Sequence, residues 1–168
     1  LPFRLVRVTS PPATPTSATG PSSASCATTT HDRAAEGTRL ISELREASGG
    51  AALDAPSGFH EIGTIDLGGA TATYETWGDF HQLRYASTRT RNGMSAMSGF
   101  DGRVSWTRGP DGVVHTDTTP EGLASARLSA YLTIYAYLYA DRFPAQFEYR
   151  GRQTADGNIY DVVTVTPA

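Results

Sequence analysis

Apolar positions recur at helical spacing in two stretches of the chain, and β-branched and aromatic residues fill most of the remainder beyond residue 58. In the first stretch, DRAAEGTRLISELREASGG, Leu40, Ile41, Leu44 and Ala47 fall on one face, with Arg39, Glu43, Arg45 and Glu46 on the other. Asp32 can cap its start, and Gly49-Gly50 supply a stop that tolerates positive φ. This spacing predicts a helix whose apolar stripe needs a surface to cover. From Phe59 to about His115 the texture turns to β, with strands expected around 58–66, 70–77, 80–90 and 102–108. Gly68-Gly69, Asn92-Gly93, Asp101-Gly102 and Asp111-Gly112 punctuate them, and Asp156-Gly157 lies further on. Asn-Gly and Asp-Gly are favoured in tight hairpin turns, so short strands so connected predict an antiparallel meander.

The second helical stretch follows. Thr119 fits the N-cap, Pro120 the first helical position and Glu121 the positive helix end. Leu128, Tyr131, Leu132, Tyr135, Leu138 and Tyr139 then recur at three- and four-residue spacing, which predicts a helix over 120–141. Strands return at 145–150 and 158–166, and the last of these expects a neighbour outside the chain.

The Tyr-rich stripe supports two readings. A helix face of Tyr and Leu packs onto a sheet as ordinary core. Yet residues 131–139 hold four Tyr, and each buried hydroxyl needs a partner, which a cavity with a polar rim supplies more readily than a dry core.

Residues 9–30 contain seven Thr, five Ser, four Pro and four Ala with no large apolar side chain, too little to offset ordering entropy. Residues 1–30 are accordingly expected to form a disordered tail ahead of one folded domain over 31–168. The single Cys, Cys26, follows Ser-Ala-Ser as at a bacterial lipidation site, but the required apolar run before it is missing, so it reads as an incidental linker residue. One Cys also excludes a disulfide framework and Cys-based zinc. A formal charge of −3 does not suggest nucleic acid, and no stretch reaches the roughly 18–20 apolar residues of a membrane-spanning helix. All 14 basic residues are Arg, a sign of base composition rather than of function. The opening Leu1, in place of Met, predicts a fragment or processed product.

Catalytic motifs stop short of completion. His60-Glu61-Ile62-Gly63-Thr64 has Thr where a zincin helix needs its second His. Gly93-Met94-Ser95-Ala96-Met97 lacks the closing Gly of a nucleophile elbow, so Ser95 reads as a loop residue. His115 and Asp117 read as a polar loop before the second helix, and Asp117-Thr118-Thr119 lacks the Gly of an aspartic-protease triplet. No catalytic residue, metal ligand or cofactor is expected.

Longer stretches carry a family resemblance. They are Ser48-Gly49-Gly50-Ala51-Ala52-Leu53; Glu75 and Trp77 followed by Arg84; Ser98-Gly99-Phe100-Asp101-Gly102-Arg103 with Trp106; Ala126-Arg127 and the Tyr-rich helix; Tyr149-Arg150-Gly151; and Asp161-Val162-Val163 with Val165 and Pro167. Together they resemble the lipoprotein-carrier-like (LolA-like) N-terminal domain of bacterial envelope proteins, often found ahead of a retropepsin-like aspartic protease domain. The resemblance implies an α+β fold: a curved antiparallel sheet, an open half-barrel, covered on its concave face by two helices. It further implies a periplasmic or other cell-envelope location and an apolar cavity for a lipid or lipoprotein acyl chain. Family members continue past the equivalent of Pro167, so a C-terminal truncation is expected. The expected function is non-catalytic binding by a monomer, with Tyr131, Leu132, Tyr135, Leu138, Tyr139 and Trp106 lining the ligand. The alternative is an accessory domain of an aspartic protease whose catalytic part lies outside this chain.

Overall fold

The computed structural model describes residues 3–9, 30–66 and 68–168. Its order is β1 (Phe3–Thr9), α1 (Thr30–Ala47), a 3-10 turn (Gly50–Asp54), and the strands β2 (Gly58–Asp66), β3 (Thr71–Asp79), β4 (Arg84–Arg91), β5 (Met94–Phe100), β6 (Ser105–Arg108) and β7 (Val114–Asp117). Then come α2 (Pro120–Thr133), a second 3-10 turn (Ala136–Leu138), β8 (Ala145–Ala155) and β9 (Asn158–Pro167). The protein is α+β, with an open six-stranded antiparallel meander β2-β3-β4-β5-β6-β7 that does not close into a barrel. A second sheet, of order β1-β9-β8, gathers the strands from the two ends of the described chain.

Local chemistry accounts for the connections. Asn92-Gly93 (φ 52 and 74) joins Arg91 to Met94, and Asp156-Gly157 (φ 49 and 76) joins Ala155 to Asn158. Both central residues lie at positive φ, as two-residue hairpins that match the strand twist require. At the β5–β6 connection Asp101 Oδ1 accepts from the backbone N–H of Arg103 and Val104, each at 2.8 Å. Thr119 caps α2 by accepting from Gly122 N at 3.1 Å, and its own hydroxyl donates to Asp117 Oδ1 at 2.7 Å.

Several expectations are corrected. Met94–Phe100 and Val114–Asp117, read as loops around Ser95 and His115, are strands. Their backbones pair with β4 and β6 although few of their side chains are apolar. Phe3–Thr9, assigned to the tail, pairs along β9, whose neighbours β1 and β8 both belong to this chain. Residues 10–29, the rest of the expected tail, and Cys26 with them, lie outside the described residues. Helix α1 begins at Thr30, so Asp32 sits in its first turn instead of capping it, and Ala47 is exposed.

The largest correction concerns the Tyr-rich segment. Helix α2 ends at Thr133, eight residues short of the expected 141, because Tyr135 adopts a left-handed conformation (φ 54, ψ 38). The chain redirects there and brings Ile134, Ala136 and Tyr139 into the interior at no more than 2% exposure.

Each helix serves one sheet. Helix α1 rests on β8 and β9 through Leu40 and Ile41, with Phe147, Val163 and Val165 beneath. Helix α2 lies on β4–β6, where Ala126 and Ala130 meet Phe100. Leu83 and Tyr85 touch both clusters and join them into one core.

A Cβ at Gly37 would stand 2.8 Å from the backbone C and O of Phe147, which cannot yield as a flexible side chain would. Gly37→Ala gains about 1 kcal/mol of helix propensity but incurs an overpacking cost of about 1–3 kcal/mol. A net fall in the urea midpoint is therefore expected. Asp101 is held below the usual carboxylate range by the backbone donors of Val104 and Arg103. A depressed folded pKa means stability that is complete above the unfolded value of about 3.9 and lost as pH falls through the folded one. Asp101→Ala should therefore lower the urea midpoint at neutral pH, and its gap to the parent should close in acid.

Candidate functional site

The inner side of α2 borders a cleft of ≈ 290 Å³. Leu128 and Tyr131 contribute from the helix, Leu83 from the β3–β4 turn, and Phe143 and Pro144 from the segment entering β8. The Pro120 start and Thr119 cap set the helix phase that turns these two side chains inward. Burial pushes the Tyr131 phenol well up, so it stays neutral.

Two guanidiniums line the same cleft, Arg127 and Arg142. They differ in freedom. Arg142 is anchored: Nη1 donates to Phe80 O at 3.3 Å, Nη2 to Asp54 Oδ1 at 2.8 Å, and its guanidinium lies 5.1 Å above the Tyr139 ring. Arg127 is exposed and has no side-chain partner among the described residues. The cleft thus joins apolar walls to one fixed and one available cation. These groups can hold an anionic head beside a short apolar chain, and the lining contains no nucleophile–base pair.

The six expected ligand-lining residues do not converge. Tyr131 is in the cleft. Leu132 and Tyr135 are exposed at 39% and 46%, Leu132 within the last turn of α2 and Tyr135 at the left-handed break that follows it. Tyr135 leans instead on Phe59, with ring centroids 6.2 Å apart. Leu138 borders a different cleft of ≈ 300 Å³, between the second 3-10 turn and α1, beside Ile41 and Arg45. Tyr139 is core: its hydroxyl donates to Leu53 O at 3.3 Å and its ring stacks on Phe80 at 5.1 Å. Trp106 is half-buried and lies outside the α2 cleft, and Phe100 takes the core position at 1% exposure. Adjacent strand positions alternate between faces. Trp106 opposes Gly99, so it lies on the sheet face away from Phe100 and α2.

Sequence reading missed Arg127 and Arg142 as lining residues. The signal available was Arg127 beside the apolar stripe. Arg142 gave none, since only the turn at Tyr135 brings it to the cleft. Among the described residues no three of His, Cys, Asp and Glu converge as a metal site would require. His60 lies on β2, where its Nε2 faces Glu75 Oε1 at 2.7 Å. No family model, curated protein or solved structure matches the chain.

The facing assignment has a direct stability test. Phe100→Ala should cost about 3–5 kcal/mol, as for a fully packed aromatic, and Trp106→Ala clearly less. Urea denaturation of both variants checks the order; a larger loss at Trp106 would reverse the two faces of β5 and β6.

Proposed function

We propose that this chain is a non-catalytic cell-envelope domain that binds a short acyl chain carrying an acidic head between its second helix and the sheets. The observation that carries the reading is Arg127, without a side-chain partner among the described residues, in the lining of a cleft walled by Leu83, Leu128, Tyr131 and Phe143. The envelope location rests on the sequence resemblance to carrier-like domains. A volume of ≈ 290 Å³ is at the lower end for ligand sites, which favours a single chain over a diacyl lipid. Each buried methylene contributes about 0.8 kcal/mol, so some eight of them offset much of the cost of association. A charge-assisted contact with Arg127 would add about 1.5–3 kcal/mol.

Titration with a fluorescent fatty acid below its micellar concentration tests the proposal. The parent protein should bind, and uncharged decanol should compete less well than decanoate. Arg127→Ala should weaken binding by about tenfold, the equivalent of 1.4 kcal/mol. Tyr135→Ala should leave it unchanged, since that ring stands outside the cleft. Absence of binding to the parent would refute the acyl-chain reading, and equal competition by decanol would remove Arg127 from it.

A further inference from the structure

The outer face of the six-stranded sheet carries a second concavity, of ≈ 340 Å³, independent of the acyl cleft. One cross-strand row builds it: His60 opposes Trp77, Trp77 opposes Ala86, Ala86 opposes Gly99, and Gly99 opposes Trp106. The backbones carrying the two indoles are thus three strand spacings apart, roughly 14 Å, with Ala86 and Gly99 between them. Trp77 is 37% exposed. The His60 ring stacks on it at 4.9 Å and 7°, backing the indole, and on the neighbouring strand Trp77 opposes the small Ala86. Trp106 leans the other way: a Cβ on Gly99 would stand 2.7 Å from its Cζ2, so the indole lies over that glycine. The result is a trough with an aromatic wall at one end and an aromatic bed at the other.

Polar rows flank the trough along both sides. On one side are Asp79, Arg84 and Asp101; Arg84 Nε donates to Asp79 Oδ2 at 2.8 Å. The backbone donors to the Asp101 side chain both use Oδ1, and Asp101 lines the trough. On the other side Glu75, Thr88, Met97 and Arg108 form the next cross-strand row. An apolar floor between two hydrogen-bonding rows matches a ligand with flat C–H faces and a rim of hydroxyls. A quaternary ammonium needs a closed cage of rings, and a prolyl segment makes little use of charged flanks. We infer that this trough binds a short oligosaccharide, its pyranose rings stacked on Trp77 and Trp106 and its hydroxyls met by Asp101 and Arg84.

The two tryptophans of the chain are these two, so intrinsic Trp emission reports on this trough alone. The full chain is titrated with maltotriose, cellotriose and triacetylchitotriose, with tetramethylammonium chloride as the cationic control. At least one trisaccharide should shift or quench the emission with a Kd of about 1 mM or tighter. Ala86→Leu, which fills the floor, should weaken that response at least tenfold. If Ala86→Leu does not fold by far-UV circular dichroism, the exposed Trp77→Ala replaces it, read by the indole N–H resonance of Trp106, which the sugar should no longer move. Silence toward all three sugars at tens of millimolar overturns the inference. So does a response that survives the floor or wall variant, or one to tetramethylammonium alone.

Discussion

The left-handed turn at Tyr135 is the constraint on which the rest of the structure depends. A straight helix through 120–141 would carry its apolar stripe along a single line. Turning at one residue lets the same stripe serve two surfaces: Leu128 stays at the cleft beside α2, while Tyr131 and Tyr139 both enter the core beneath α1. A non-glycine residue at φ 54 is sterically unfavourable by about 1–2 kcal/mol. Complete burial of Ile134 and Ala136 on either side of it offsets that cost.

Beyond the turn, Tyr139 is the point where separate elements meet. Arg45 from α1 and Arg142 from the segment before β8 both approach its ring, at 5.6 and 5.1 Å. Asp54 bridges the two guanidiniums, accepting from Arg45 at 2.7 Å and from Arg142 at 2.8 Å. Arg45 also donates to Leu138 O at 2.6 Å. These ion pairs are partly exposed, so each one contributes little alone. Their effect is geometric: they hold Arg142 at the edge of the α2 cleft and fix the second 3-10 turn against α1.

The six-stranded sheet consequently works on two faces. Its inner face carries Phe100 and Tyr85 against α2, whose far side borders the apolar cleft together with Leu83 and the segment entering β8. Its outer face presents Trp77 and Trp106 with small residues between them. The period-two alternation of β-strands sends Phe100 to α2 and turns Trp77 and Trp106 to the opposite face.

Much of this was legible in the residues themselves. Asn92-Gly93 and Asp156-Gly157 form the hairpins their chemistry demands, Thr119-Pro120 starts α2, and Leu40 and Ile41 face inward, because each of these depends on near neighbours in sequence. Strands β5 and β7 escaped notice because their Ser, Thr and His side chains hide a backbone that pairs all the same. The partition of strands into two sheets, β1 beside β9, and the break at Tyr135 were not readable either. Periodicity scored the Tyr-rich segment as one continuous helix, since it records which residues are apolar and not where the surface to cover lies. Local sequence thus determined the turns, the caps and the inward faces. Which Tyr rings became core, which stayed exposed, and where Arg127 and Trp106 stand was decided by tertiary packing, because burial is a property of what lies opposite.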